Sequence, residues 1–494
     1  MEGRSSGILL PVSALPGAYG GGTMGKSARQ FIDFLAQAGQ RYWQILPLVP
    51  PGGGESPYMS PSSFAGNPLF LDPEQLAQDG LLTVEELEQA RYPGSPDRVD
   101  YAWLHATRPA LLRKAWERGK NTYSKELEAF LEQERDWLPD FALFLALRAH
   151  FGGAELKDWP GPVRKREPQA LSQLREQLAE EVDYYVFLQF LFFRQWAALK
   201  AYANEKGISI IGDLPIYVSP DSAEVWADPH LFQLDRDLVP SAQAGVPPDA
   251  FSSTGQHWGN PLYDWRYHKK TGFAWWKRRC AHMARLYDTV RIDHFRAFHT
   301  YWSIPAGAQD AREGHWEKGP GMPLLKALQE VEGLRLIAED LGDLDDAARA
   351  FIAKSGLPGM KILVYAFDPV GESAYLPHNC PVNAVAYTGT HDTPTFVQWL
   401  FEEASPEERQ YAFDYLRLRE DEGFGWGAVS GAWMSPCRLA VAPMQDLLGL
   451  GADARMNAPG TQGGQNWSWR VRQAALNPDV AGRLRHITRT YRRT

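Results

Sequence analysis

Three cysteines in 494 residues, Cys280, Cys380 and Cys437, are too few and too far apart for a disulfide framework, and no C-x-x-C pair offers a zinc site. None of the twelve histidines falls in an H-E-x-x-H pattern, so neither a metal nor a cofactor is expected. Long apolar runs are missing as well. The densest, residues 187–193, is far shorter than the span a bilayer needs. The N-terminal stretch is broken at Pro11 and has no small-residue cleavage site after a long apolar region, which argues against a signal peptide. Nor is there a surplus of positive charge. With 51 basic and 60 acidic residues the net charge is -9, which speaks against nucleic acid or an anionic membrane as the main partner. These absences leave a soluble protein of a reducing, cytoplasmic setting, with no obligate protein partner indicated, acting on a neutral polymer or small molecule.

Aromatic residues are abundant: 18 Trp, 20 Tyr and 23 Phe. Most are expected in packing, and the rest suit the flat apolar faces of sugar rings. The order of elements is informative. Residues 7–15 read as a strand, 28–38 as a helix with Phe31, Phe34 and Leu35 on one side, and 41–49 as a second strand. Residues 55–72 form a turn-rich, aromatic segment of the kind that follows a barrel strand, although a surface loop packed on its own Tyr58 and Phe64 reads the same way. From 73 to 200 the pattern is helical, with a capping box at Thr83-Val-Glu-Glu86 and longer helices over 137–150 and 184–206; no fixed-period repeat is present. This block is expected to be an insertion. Strands resume at 208–218, with Asp213 at the end of the apolar run. Residues 219–273, rich in Pro, Gly and Trp, are expected to form a second, loop-rich insertion.

Beyond it, strands at 288–295, 334–342, 360–367 and 382–392 alternate with helices at 274–287, 324–331, 343–355 and 407–418, and 455–460 is expected to supply the eighth strand. Unbroken apolar strands with polar residues at their carboxyl ends, separated by helices, predict an α/β fold: a single (β/α)8 TIM barrel over 1–494, although a doubly wound open sheet gives a similar pattern.

In Thr289-Val-Arg-Ile-Asp293, alternation puts Arg291 and Asp293 on one face of a strand and Val290 and Ile292 on the other. A guanidinium beside a carboxylate favours its ionised form, as a nucleophilic aspartate requires, although an isolated R-x-D is more often a structural ion pair. Asp293, Glu339 and Asp392 each follow an apolar strand, and in a barrel those ends converge. Paired carboxylates about 5 to 5.5 Å apart, one ionised and one protonated, are what a retaining glycosidase needs. Taken singly, each acid is more often a cap or a salt-bridge partner, and Asp340 and Asp343 compete with Glu339 for the proton-donor role.

The set Ile211-Gly-Asp-Leu-Pro-Ile-Tyr-Val218, Val290-Arg-Ile-Asp-His-Phe-Arg296, Ile337-Ala-Glu-Asp-Leu-Gly342 and Thr390-His-Asp-Thr393 resembles the ordered motifs of the α-amylase superfamily. With His257-Trp-Gly-Asn-Pro-Leu-Tyr263, Ser56-Pro-Tyr-Met-Ser-Pro-Ser-Ser-Phe64 and Arg455-Met-Asn-Ala-Pro-Gly-Thr461, the chain resembles the amylomaltase, or 4-α-glucanotransferase, branch over nearly its whole length. The resemblance implies a (β/α)8 barrel with inserted, largely helical subdomains and no C-terminal β-sandwich. It implies Asp293 as nucleophile, Glu339 as general acid/base, the motif itself singling out that acid, and Asp392 as transition-state stabiliser. Arg291 and His391 become flanking partners and Asp213 a residue near that subsite, while Tyr58, Asp249, Trp258, Asn457 and Gly460 fall on segments lining a glucan groove. The implied activity is transfer of α-1,4-glucan segments from a donor to an acceptor glucan by a retaining double displacement. An amylase-like hydrolase using the same acids is the near alternative; a silent glucan-binding scaffold would be expected to have lost one of the three acids.

Overall fold

The structure, a computed structural model, describes residues 3–248 and 252–494. The described residues form twelve strands: β1 (Ser5–Leu9), β2 (Tyr42–Gln44), β3 (Ser209–Leu214), β4 (Ala242–Val246), β5 (Gln256–Pro261), β6 (Thr289–Ile292), β7 (Thr300–Pro305), β8 (His315–Lys318), β9 (Leu336–Ala338), β10 (Gly359–Ile362), β11 (Ala384–Tyr387) and β12 (Leu439–Pro443). Eight of them make one parallel sheet in the order β10-β11-β12-β1-β2-β3-β6-β9. The Ala338 N–H donates to the Pro358 carbonyl at 2.9 Å, joining the two ends of that sheet into a ring. Each strand lies beside its neighbour in the series, which is the (β/α)8 barrel.

The strands are apolar throughout because both faces are buried. Leu9, Ile211, Ile337, Met360, Ile362, Val385, Tyr387, Leu439 and Val441 belong to one apolar cluster, together with residues packed around the last strands. The alternate positions Ile8, Trp43, Ile210, Val290, Ile292, Ala338, Ala386 and Ala440 join a second, larger cluster with the helices. Two members of the first set meet polar side chains from other strands: the Tyr387 hydroxyl donates to Gln44 Oε1 at 2.9 Å and Arg291 Nε reaches Met360 Sδ at 3.4 Å.

The eighth strand is Leu439–Pro443, not residues 455–460. It pairs with both β11 and β1, while Arg455 begins a loop above the barrel mouth. This run of five buried residues follows closely on the apolar helix Phe424–Met434, and a short apolar run next to an apolar helix carries no readable period of its own. Expected strands are also shortened. β1 stops at Leu9 and gives way to a 3-10 turn at Val12–Ala14, because Pro11 has no N–H to continue a ladder.

The helical block after β2 ends in the long helix Ala179–Glu205, which packs on Leu138–His150 within the block and on Lys26–Gln37 and β3 in the barrel. The segment expected to be loop-rich is more regular than its composition suggests. β4 and β5 pair antiparallel, and with β7 and β8 they build a four-stranded sheet in the order β5-β4-β7-β8. Glycines and a register shift between Gln243 and Gly245 interrupt the alternation by which a strand is recognised.

Candidate active site

β3 and β6 run in register with Asp213 opposite Arg291. Both side chains therefore enter the barrel, where Arg291 Nη1 donates to Asp213 Oδ1 at 2.8 Å and Oδ2 at 2.7 Å. The alternation predicted for β6 carries one step beyond the strand, and Arg291 Nη2 lies 3.0 Å from Asp293 Oδ1. One guanidinium thus serves two carboxylates. Its surroundings are closed: the Arg291 side chain is 4 % exposed and that of Asp213 0 %, whereas Asp293 keeps 27 % open toward the mouth.

Asp293 is followed by a tight turn in which His294 adopts φ 49°, ψ 48°, a left-handed conformation rare for a side-chain-bearing residue. That turn aims the His294 N–H at Glu339 Oε2, 2.7 Å away, while the Leu341 N–H donates to Oε1 at 2.7 Å. Glu339 stands directly after β9, beside Asp293. Asp340 is committed elsewhere, accepting the Met360 N–H at 2.6 Å and lying 3.4 Å from Lys361 Nζ. The His294 ring packs edge-on to Trp258 of β5 at 5.0 Å, which brings that tryptophan to the rim of the site.

Asp392 lies beyond β11. Its Oδ2 is 3.1 Å from His391 Nε2 and its Oδ1 accepts Asn457 Nδ2 at 2.7 Å. Tyr58, in the loop after β2, donates from its hydroxyl to Asp213 Oδ2 at 2.7 Å, stands 2.8 Å from His391 Nε2, and stacks on the His391 ring at 5.5 Å. Asp213, Tyr58, His391, Asp392 and Asn457 are thus one connected network reaching Asp293 through Arg291. Gly460 lies three residues past Asn457, exposed at φ 78°. Asp249 lies outside the described residues.

Burial pushes the Asp293 carboxyl up to about 6; Arg291 pulls the other way, and Asp213 and Asp392 add to the rise. The arginine alone had suggested a lowered acid, but desolvation outweighs it. Burial pushes Glu339 further, to about 7, against Arg291 and the two backbone N–H donors and with help from the Asp293 charge. At Asp392 burial also acts upward, but His391, Asn457 and Arg291 outweigh it and hold the group at about 2. Within one pocket, then, one carboxyl is held ionised and two are pushed upward toward neutrality.

Three residues near the site were not among the candidates drawn from the sequence, although His294 and Arg455 lie within the quoted motifs. His294 places a backbone donor, Trp467 packs 5.9 Å from Tyr58 and 6.1 Å from His391, and Arg455 donates to the Asp392 carbonyl at 3.3 Å. Adjacency to Asp293 could have drawn attention to His294, and Arg455 and Trp467 belong to segments 455–461 and 466–467, whose resemblance marked the stretch without giving either side chain a role. Among the described residues no group of three or more His, Cys, Asp and Glu side chains is placed to hold a metal ion, and no helix is long and apolar enough to cross a membrane.

A parallel barrel with carboxylates gathered at the carboxyl ends of its strands, displaced in opposite senses from their ordinary range, is the layout of an enzyme acting on glycosidic bonds. The sequence profile described as 4-alpha-glucanotransferase matches residues 10–476, and the chain belongs to that family. It is 47% identical to the 4-alpha-glucanotransferase of Thermus thermophilus, over 99% of each chain. Against that of Clostridium butyricum it is 43% identical, over 98% of this chain and 100% of the relative. The amylomaltase from Streptococcus agalactiae, solved in complex with acarbose, is 42% identical and superposes with a TM-score of 0.96 over 99% of both chains. The family is one of transferases, which decides between the two activities left open by the acids alone.

Proposed function

We propose that the chain moves segments of α-1,4-glucan from a donor to the 4-hydroxyl of an acceptor glucan or glucose by double displacement, with Asp293 as nucleophile, Glu339 as acid/base and Asp392 as stabiliser. The observation that carries the assignment is the pairing of Asp293, 3.0 Å from Arg291, with Glu339, held by two backbone N–H groups on the adjacent strand end. With both carboxyls lifted toward neutrality the pair can hold one proton there, and the working state has it on Glu339 while Asp293, beside the Arg291 guanidinium, is ionised.

Asp293 attacks the anomeric carbon as the glycosidic oxygen departs with the Glu339 proton. Glu339 then takes the proton of the acceptor 4-hydroxyl, whose oxygen attacks the same carbon and releases Asp293. The bond made is of the kind broken. Asp392, held at about 2 and so ionised near neutrality, holds sugar hydroxyls and offsets the positive charge that develops on the ring. Arg291 and His391 flank these acids. Asp213 anchors Arg291, and Tyr58, Trp258, Asn457 and Gly460 line the groove, with Asp249 a candidate from the sequence alone; residues 219–273 contribute to that groove beside a helical insertion at 73–200 on one barrel domain. A cytoplasmic setting is proposed from the sparse cysteine content of the sequence.

For a sugar hydroxyl to outcompete water it must be bound and oriented while stray water is kept from the reactive carbon. Trp258, at the rim beside His294, offers a flat apolar platform under an acceptor ring. Maltotriose is expected to become glucose and longer maltooligosaccharides with the total of reducing ends nearly constant, and Trp258→Ala to let reducing ends accumulate. Reducing ends that rise in step with maltotriose loss in the unmodified enzyme would overturn the reading.

A further inference from the structure

Arg455, at the start of the segment that runs as a loop instead of a strand, is engaged on three sides. Its Nη2 donates to the Asp392 carbonyl at 3.3 Å, its Nε donates to the Asn457 carbonyl at 2.9 Å, and its Nη1 lies 3.1 Å from Glu403 Oε1. Glu403 ends the π-helical turn Trp399–Glu403, and the same oxygen accepts Gln398 Nε2 at 3.0 Å. Asp392 and Asn457 belong to different loops, one after β11 and one after β12, yet their side chains meet at 2.7 Å, and the Asn457 N–H donates to the His391 carbonyl at 3.0 Å. Two irregular backbones meet at hydrogen-bond distance only if something fixes their separation.

We propose that Arg455, oriented by Glu403, is a positioning residue that clamps the β11 and β12 loops together and so holds Asn457 against Asp392, setting the geometry of the transition-state stabiliser. The inference rests on the role given to Asp392 above. Arg455 acts through the backbones of Asp392 and Asn457 and has no part in the proton or electron transfers. A planar guanidinium directs donors three ways at once, which an ammonium on a flexible stem does not reproduce. The ion pair with Glu403 is open to solvent, with side-chain exposures of 23 % and 40 %, so its value lies in orientation rather than in stability.

The test compares Arg455→Lys, Asn457→Ala, the double variant and Asp392→Asn in the full chain, by kcat and KM for maltotriose disproportionation, with thermal unfolding followed in parallel. Arg455→Lys is expected to lower kcat about 10- to 100-fold with KM within about threefold, as loss of support around a positioned group does. The double variant should fall no further than Asn457→Ala alone, because both changes remove one interaction. An unchanged kcat for Arg455→Lys, a loss confined to the unfolding temperature, or losses that multiply in the double variant would each overturn the clamp. If Arg455→Lys does not fold, Glu403→Gln serves instead: a kcat lowered less than tenfold but measurably, non-additive with Asn457→Ala, supports the clamp, and an unchanged kcat overturns it. Asp392→Asn separates this from the underlying reading. Retention of more than about a tenth of normal kcat there overturns the role of Asp392 itself, whatever Arg455 does.

Discussion

Replacing Arg291 with methionine removes the only cation within salt-bridge distance of Asp293 among the described residues and leaves Asp213 facing it. At about 4 Å between charge centres and an effective dielectric near 20, the lost attraction is about 4 kcal/mol, or about three pK units. Asp293, already lifted to about 6 by burial, should then titrate between about 8 and 9, so the acidic limb of kcat/KM moves up by about two to three units. At pH 6 this withdraws the ionised nucleophile by about 50- to 500-fold, on top of any loss of ring positioning at every pH. The variant also strands Asp213, a fully enclosed carboxylate, at a penalty of about 3–5 kcal/mol in stability. Asp213→Asn/Arg291→Met removes that charge and keeps the measurement on a folded protein. The upward shift should shrink but persist in the double variant, because Arg291 influences Asp293 more strongly than Asp213 does. The assay is glucose release from maltotriose across pH 4.5 to 9, with circular dichroism to verify folding. An acidic midpoint that stays within about 0.3 unit of the unmodified enzyme, while the rate drops evenly, would refute the electrostatic role of Arg291.

The same shifts have a consequence for stability. Both Asp293 and Glu339 hold their protons more tightly folded than unfolded, so the stability linked to them is fully present below about pH 4 and is lost as pH rises through about 6 and 7. Asp293→Asn and Glu339→Gln should therefore melt a few degrees higher than the unmodified chain at pH 8 and close to it at pH 4; equal melting at pH 8 would contradict the burial argument. Asp340→Asn should leave kcat within about threefold and lower stability by about 1 kcal/mol, since Asp340 serves the Met360 N–H and Lys361. A kcat loss as deep as that of Glu339→Gln would mean the proton donor had been misassigned.

Much of the fold was legible because each barrel strand is an apolar run ending in a polar residue, and the positions of Asp293, Glu339 and Asp392 followed from those ends. The Arg291–Asp293 pair was legible too, since alternation within four residues determines which side chains share a face. Contacts set by long-range register were not. Asp213 binds Arg291 across 78 positions and Asn457 binds Asp392 across 65, and no local pattern encodes either. The eighth strand was missed because Leu439–Pro443 is short and follows closely on an apolar helix, and β4 and β5 because glycines and a shifted register broke their alternation. The upward shift of Asp293 needed the surrounding protein, since desolvation is a property of the pocket and not of the R-x-D motif.

The central claim is that Asp293 becomes covalently bound to the sugar while Glu339 handles the protons. In Glu339→Gln, an α-glucosyl fluoride, whose leaving group needs no proton, should still react, while the second step lacks its base and the glucosyl-enzyme should accumulate. Mass spectrometry of the digested protein should find one hexose on the peptide containing Asp293. No adduct, or an adduct on a peptide carrying Asp213 or Asp392 instead, would contradict the account.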